Sequence, residues 1–225
     1  MSIGIVENVT GSFAFAKDRL VGKWLDWLIL IILFIIPIIG WALLFGFLAR
    51  VYRGGEPKLG DWIKMLIDGI LMWIVFIVYM IIPAIVFVIL GGAAVLTSFA
   101  SVDGMMNPTG ALGAALGLGV GVILSVIIAI IFGFLATMGM VRFAKEEKFG
   151  AAFQVGELFK IIGKIGWLHY ILSWIVLAVI FAIIYFIVGL ITGLVAPLGM
   201  IILWIIGPVL VIWQGKFYAH LYESA

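Results

Sequence analysis

Long apolar runs alternate with short segments that hold most of the charge, and this alternation predicts the elements of the chain. No charged residue occurs between Asp26 and Arg50, Asp68 and Asp103, Asp103 and Arg142, or Lys164 and Lys216. Each gap is long enough for the ~20 apolar residues that cross a hydrocarbon core. The runs are continuous rather than alternating in polarity, which predicts helices and not the strands of a barrel. Residues 69–91, 111–141, 167–192 and 200–218 read as spans. The tract 91–110, mixing Gly, Ser, Asn and Pro, and the turn LVAPLG at 194–199 read as the loops between them.

The segments between the runs carry a helical period. In residues 4–22, Ile5, Val9, Phe13, Ala16 and Leu20 recur at three- and four-residue spacing, with Glu7, Asn8, Lys17 and Arg19 elsewhere on the wheel. In 58–68, Leu59, Trp62, Ile63, Leu66 and Ile67 oppose Asp61, Lys64 and Asp68, and Lys64 stands three and four residues from the two aspartates. In 151–164, Val155, Leu158, Phe159 and Ile162, with Ile165 just beyond, oppose Glu157, Lys160 and Lys164. All three read as amphipathic helices lying at the membrane interface.

Residues 24–49 fit two readings. As one helix kinked at Pro37 and Gly40 the run is about 39 Å long, enough to span with tilt, and this is preferred because non-helical backbone at depth needs cover from other protein. As a re-entrant hairpin, the chain becomes three copies of a surface helix followed by an apolar hairpin. The likeness of LFIIPII around Pro37 to YMIIPAI around Pro83 hints at such internal repeats.

Composition agrees with the pattern. The 225 residues are 66% hydrophobic and 11% charged, with a mean hydropathy of +1.38, too little polar surface to cover a soluble globule. The net charge of +2 is small, and the basic residues cluster beside apolar spans, where they set topology; nucleic acid is not an expected partner. With no cysteine there is no disulfide, thiolate metal site or thiol nucleophile. Lys17, Arg19 and Lys23 precede a run too long for a signal peptide and without its cleavage site, so it reads as retained. The 49–69 segment has four basic residues, the 140–164 segment five and the tail one, while the loops at 91–110 and 194–199 have none. This places both charged segments and the C-terminus in the cytoplasm of a multi-pass cell-membrane protein.

Chemistry-bearing residues are sparse. His169 and His220 have no metal-ligand neighbour at helical spacing, and no phosphate-binding, metalloprotease or nucleophile-elbow pattern occurs, so no catalytic, cofactor or metal residues are assigned. Asn8-Val9-Thr10 matches a glycosylation acceptor by pattern alone. Asp26, Asp68 and Gln214 sit at the ends of their runs, where they reach the interface or cap a helix. Gly113, Gly117 and Gly121 form a four-residue stripe suited to close helix packing. Arg50, Arg53, Arg142 and Lys145 lie just past span ends and are the candidates for contact with an anionic lipid or a partner, against the plainer reading that they fix topology.

The arrangement GFLARVYRGGEPKLGDWIKMLIDGI followed by VRFAKEEKFGAAFQVGELFKII resembles an archaeal family of multi-pass membrane proteins catalogued as domain of unknown function 4013. The resemblance rests on Gly46 and Arg50 at the exit of the first run, the Trp-containing helix ending Asp68-Gly69, and the basic turn before Gly156-Glu157-Leu158. Where the family has a proline just before the Asp-Trp helix, this chain has Gly60, with its proline at Pro57. The family implies a membrane class and no mechanism.

The expected fold is therefore an all-α integral membrane protein of about five transmembrane helices and two or three interfacial ones, in a single polytopic domain over 1–225. The expected function is a non-enzymatic scaffold binding membrane lipid, a membrane protein partner or a second copy of itself through the basic belt. The alternative is a small transporter or channel with a cavity between the repeats.

Overall fold

A computed structural model describes residues 3–55, 57–100 and 108–225; within these, the surroundings of residues 91–115, 117 and 118 fall outside the description. The described residues are helical, without strands. In order they form α1 (Ile5–Leu20), α2 (Trp24–Ile35), α3 (Ile39–Arg53), α4 (Trp62–Ala100), α5 (Pro108–Glu146), a 3-10 turn (Phe149–Phe153), α6 (Val155–Ile165), α7 (Trp167–Leu194) and α8 (Ala196–Glu223). Four helices are long and apolar enough to cross a membrane: Trp62–Leu90, Gly119–Glu146, Trp167–Leu194 and Ala196–Glu223. The chain is an all-α, multi-pass membrane protein. Along α7, Ile175, Val179, Ile183, Phe186 and Leu190 stay exposed at helical spacing, an apolar stripe that only a lipid solvent tolerates.

Among the described residues four single helices are long enough to span, against the expected count of about five, because residues 24–49 are two shorter helices. α2 ends at Ile35 and α3 begins at Ile39, with Ile38 at φ 62° in the turn. Pro37 cannot donate to the preceding turn, and Gly40 lets α3 start against the Leu33 carbonyl, where a Cβ would collide. The indole of Trp41 caps the broken end by donating to the Phe34 carbonyl at 3.0 Å. At Pro83 the outcome differs, since α4 runs straight through that proline. The sequences explain why: Pro37 is followed by Ile-Ile-Gly, Pro83 by Ala-Ile-Val, with no glycine to admit a returning backbone.

Two further boundaries depart from the sequence reading. Residues 58–68 are not a separate helix, because α4 is continuous from Trp62 and no breaker intervenes; Gly69 serves packing and not a turn. The tract read as a loop over 91–110 is helical to Ala100 and again from Pro108. Without water competing for backbone groups, Gly-Gly-Ala-Ala does not end a helix. The turn between α7 and α8 is tight, at Val195, with Pro197 in the first turn of α8.

The chain divides into two compact units, residues 1–73 with 138–225, and residues 74–137. The second holds the later part of α4 and the earlier part of α5, where the rings of Tyr79 and Phe132 lie 6.5 Å apart and Ser125 donates to the Gly121 carbonyl at 2.7 Å. Gly121 is buried, and the packing of Gly113 and Gly117 lies outside the described residues.

The first unit has an apolar centre of Ala16, Leu20, Leu30, Leu33, Leu44, Phe47, Val51, Met65, Leu210, Ile212 and Trp213. α8 is its axis, packed against α1, α2, α3 and α7. α3 and α4 meet backbone to backbone: a Cβ on Gly46 would strike the Met65 carbonyl, and one on Gly69 the Ala42 carbonyl. α6 buries Leu158, Ile162 and Ile165 and leaves Val155 and Phe159 exposed, so its apolar face is narrower than the periodicity suggests.

Candidate functional site

The charged residues of the first unit gather at the ends of the helices, and most pair with one another. Arg53, in the last turn of α3, donates from Nη1 to Asp68 Oδ2 at 2.7 Å and from Nε to the Ala144 carbonyl at 2.9 Å. Glu147 Oε1 lies 3.1 Å from the same Nε and 3.4 Å from Lys64 Nζ. Lys64 thus pairs with Glu147, and Asp68 is taken by Arg53, in place of the Asp61–Lys64–Asp68 ladder that spacing alone suggests. α3 ends where it does because Gly54, at φ 89°, turns the chain away.

Arg142, buried near the end of α5, donates from Nε to Glu146 Oε1 at 2.6 Å and from Nη2 to Gln154 Oε1 at 2.7 Å. Lys145 reaches Glu223 Oε1 at 2.7 Å and lies over the Tyr222 ring. Among the described residues Arg50 bonds to the carbonyls of Lys58 at 2.6 Å and Asp61 at 3.2 Å, and so shapes the α3–α4 loop. Of the four residues singled out by sequence, Arg53, Arg142 and Lys145 are engaged by carboxylates, whereas Arg50 has no carboxylate partner among the described residues. Lys58, Lys148 and Lys164 point outward from the same segments. On α6, the Lys160 ammonium, hydrogen-bonded at 2.7 Å, holds the exposed Glu157 carboxyl below its usual range.

Two constellations escaped the sequence reading. Arg19 is buried and donates from Nε to the Pro57 carbonyl at 2.7 Å and from Nη1 to Asp26 Oδ2 at 2.8 Å, with its guanidinium over the Phe47 ring. The signal was Asp26 opening an apolar run seven residues after an arginine. The second joins α1 to α8. Asn8 Nδ2 donates to the Phe217 carbonyl at 3.1 Å, Ser12 Oγ donates to Asn8 Oδ1 at 3.0 Å, and His220 Nδ1 lies 3.0 Å from Asn8 Oδ1 and 3.1 Å from Ser12 Oγ. A serine beside a histidine invites comparison with a nucleophile and its base, yet here the hydroxyl is buried and its proton goes to the amide. With Nδ1–H as the donor to Asn8, the cluster is a structural lock. The full burial of Asn8 also removes it as a glycosylation acceptor. Ser12→Ala is expected to keep the fold and lower stability by about 1 kcal/mol, read by thermal unfolding in detergent.

Among the described residues no group of three or more His, Cys, Asp or Glu could hold a metal. Gln214, read as a polar residue at a span end, is hydrogen-bonded to the buried Tyr218 one turn later.

Residues 29–193 match the family described as Protein of unknown function (DUF4013). The chain belongs to that family. No curated protein and no solved structure matches it. The residues that carried the resemblance have structural duties here: Gly46 and Gly69 admit the α3–α4 backbone contact, Asp68 holds Arg53, and Arg50 binds the loop.

Proposed function

We propose that this DUF4013 member is a non-enzymatic membrane scaffold that gathers anionic lipid at the cytoplasmic face of the cell membrane. The observation that carries this reading is the division of labour among its cations. Arg53, Arg142, Lys145, Arg19 and Arg50 are spent on carboxylates and carbonyls that stitch the helix ends and the α3–α4 loop together, leaving Lys58, Lys148 and Lys164 at the rim. Phosphate oxygens in an anionic leaflet attract such a rim by about 1 kcal/mol per cation. The cytoplasmic side follows from the excess of basic residues there.

The test is native mass spectrometry of the protein taken from vesicles of mixed anionic and zwitterionic lipid. The parent is expected to retain anionic lipid preferentially. Lys58→Gln, Lys148→Gln and Lys164→Gln together should lose that preference and still melt near the parent, because these side chains are exposed. Equal retention by both proteins overturns the proposal.

A further inference from the structure

α2 and α3 form a helical hairpin turned at Pro37 and Ile38. We propose that it is a re-entrant hairpin seated among the acyl chains of one leaflet, with α1 and the end of α8 on the same side of the bilayer. Three observations carry this.

The first is the single side chain that holds both feet. Arg19 reaches Asp26, in the first turn of α2, and the Pro57 carbonyl, just after α3. One guanidinium bridges at most a few ångströms, so the chain enters and leaves at one level. The far foot is tied to the charged end again by Arg53, bonded to Ala144 and Asp68.

The second is length. α2 has 12 residues and α3 has 15, about 18 and 22 Å at 1.5 Å per residue, and neither crosses a core of about 30 Å. The contact with α8 measures the depth. Gly207 lies against the Phe34 ring, near the turn of the hairpin. Measured along α8, that level is about 16 Å from Ala196 and about 24 Å from Glu223, so the turn stops short of the far end.

The third is what surrounds it. Ile35, Ile36, Ile38, Ile39 and Trp41 around the turn are exposed and uncharged. An open apolar groove of about 340 Å³ between α2 and α8, lined by Trp24, Trp27, Leu28, Ile31 and Ile205, joins the hairpin to the lipid-facing surface of a spanning helix. The Trp27 indole donates to the Ile205 carbonyl at 2.9 Å, so the groove floor presents no free polar group there. Acyl chains are the occupant this surface fits.

The absence of cysteine makes the test direct. Single variants Ala14→Cys on α1, Ile38→Cys at the turn and Ala225→Cys after α8 are reconstituted into sealed vesicles and treated with a membrane-impermeant maleimide. Ala14→Cys and Ala225→Cys are expected to label to the same extent before permeabilisation and fully after it. Ile38→Cys should label only once detergent dissolves the bilayer, and Ile36→Cys serves as the second variant if Ile38→Cys does not fold. Labelling of Ala14→Cys and Ala225→Cys from opposite sides would make residues 24–49 a span, and labelling of the turn in intact vesicles, from either side, would place the hairpin in water; either result overturns the proposal.

Discussion

Gly46→Leu and Gly69→Leu are each expected to abolish the folded state, the largest effect of any single substitution foreseen for this protein. In each case the obstacle to a new side chain is backbone: the Met65 carbonyl for Gly46, and the Ala42 carbonyl with the Gly46 nitrogen for Gly69. Overpacking against side chains costs about 1–3 kcal/mol, because rotamers give way. A helix axis yields only by separating from its neighbour, and here separation would also pull Arg53 from Asp68 and Met65 out of the apolar centre. Near-ultraviolet circular dichroism during thermal unfolding in detergent reads the effect. Gly163→Leu, on α6 with nothing within 4 Å of the added Cβ, is the control expected to melt like the parent. A parent-like transition for Gly46→Leu would mean that α3 and α4 do not touch.

The next largest effect is expected for Asp68→Leu. It leaves the Arg53 guanidinium at a nearly closed site with only Glu147 and the Ala144 carbonyl. Removing one member of a buried pair costs about 3–5 kcal/mol, and the remaining partners and the partial exposure of Arg53 bring the expectation to about 2–3 kcal/mol. The double variant Arg53→Leu, Asp68→Leu should be more stable than Asp68→Leu alone, since no uncompensated charge remains. A double-mutant cycle on chemical unfolding measures the coupling. Additive losses would make the pair a surface contact.

The membrane class and the helical content were legible because a charge-free run of twenty residues has one physical outcome. Boundaries were less so. Whether Pro37 breaks the chain or only bends it depends on Gly40 meeting the Leu33 carbonyl, a contact that exists only once the hairpin has closed. The amphipathic pattern of 59–68 is real, but a helix with two faces continues into a span when nothing stops it, and Asp68-Gly69 does not. Pairing was the hardest part to read. Lys64 stands three residues from Asp61 and four from Asp68, yet the partners come from elsewhere: Glu147 for Lys64 and Arg53 for Asp68. The lock of Asn8 and Ser12 on His220 links positions more than 200 residues apart, beyond any periodicity.

That last separation governs when the structure can close during synthesis. α1 docks on α8, with Asn8 donating to the Phe217 carbonyl and the Trp213 indole donating to the Val9 carbonyl. The partner surface does not exist until some two hundred further residues have left the ribosome. Until then α1 and the hairpin have no α8 to pack against, and Leu30, Leu33 and Phe47 wait among lipid. α8 completes the core begun by α1, so ribosomes stalled before α8 should leave an early half open to proteases or to membrane chaperones for as long as they pause.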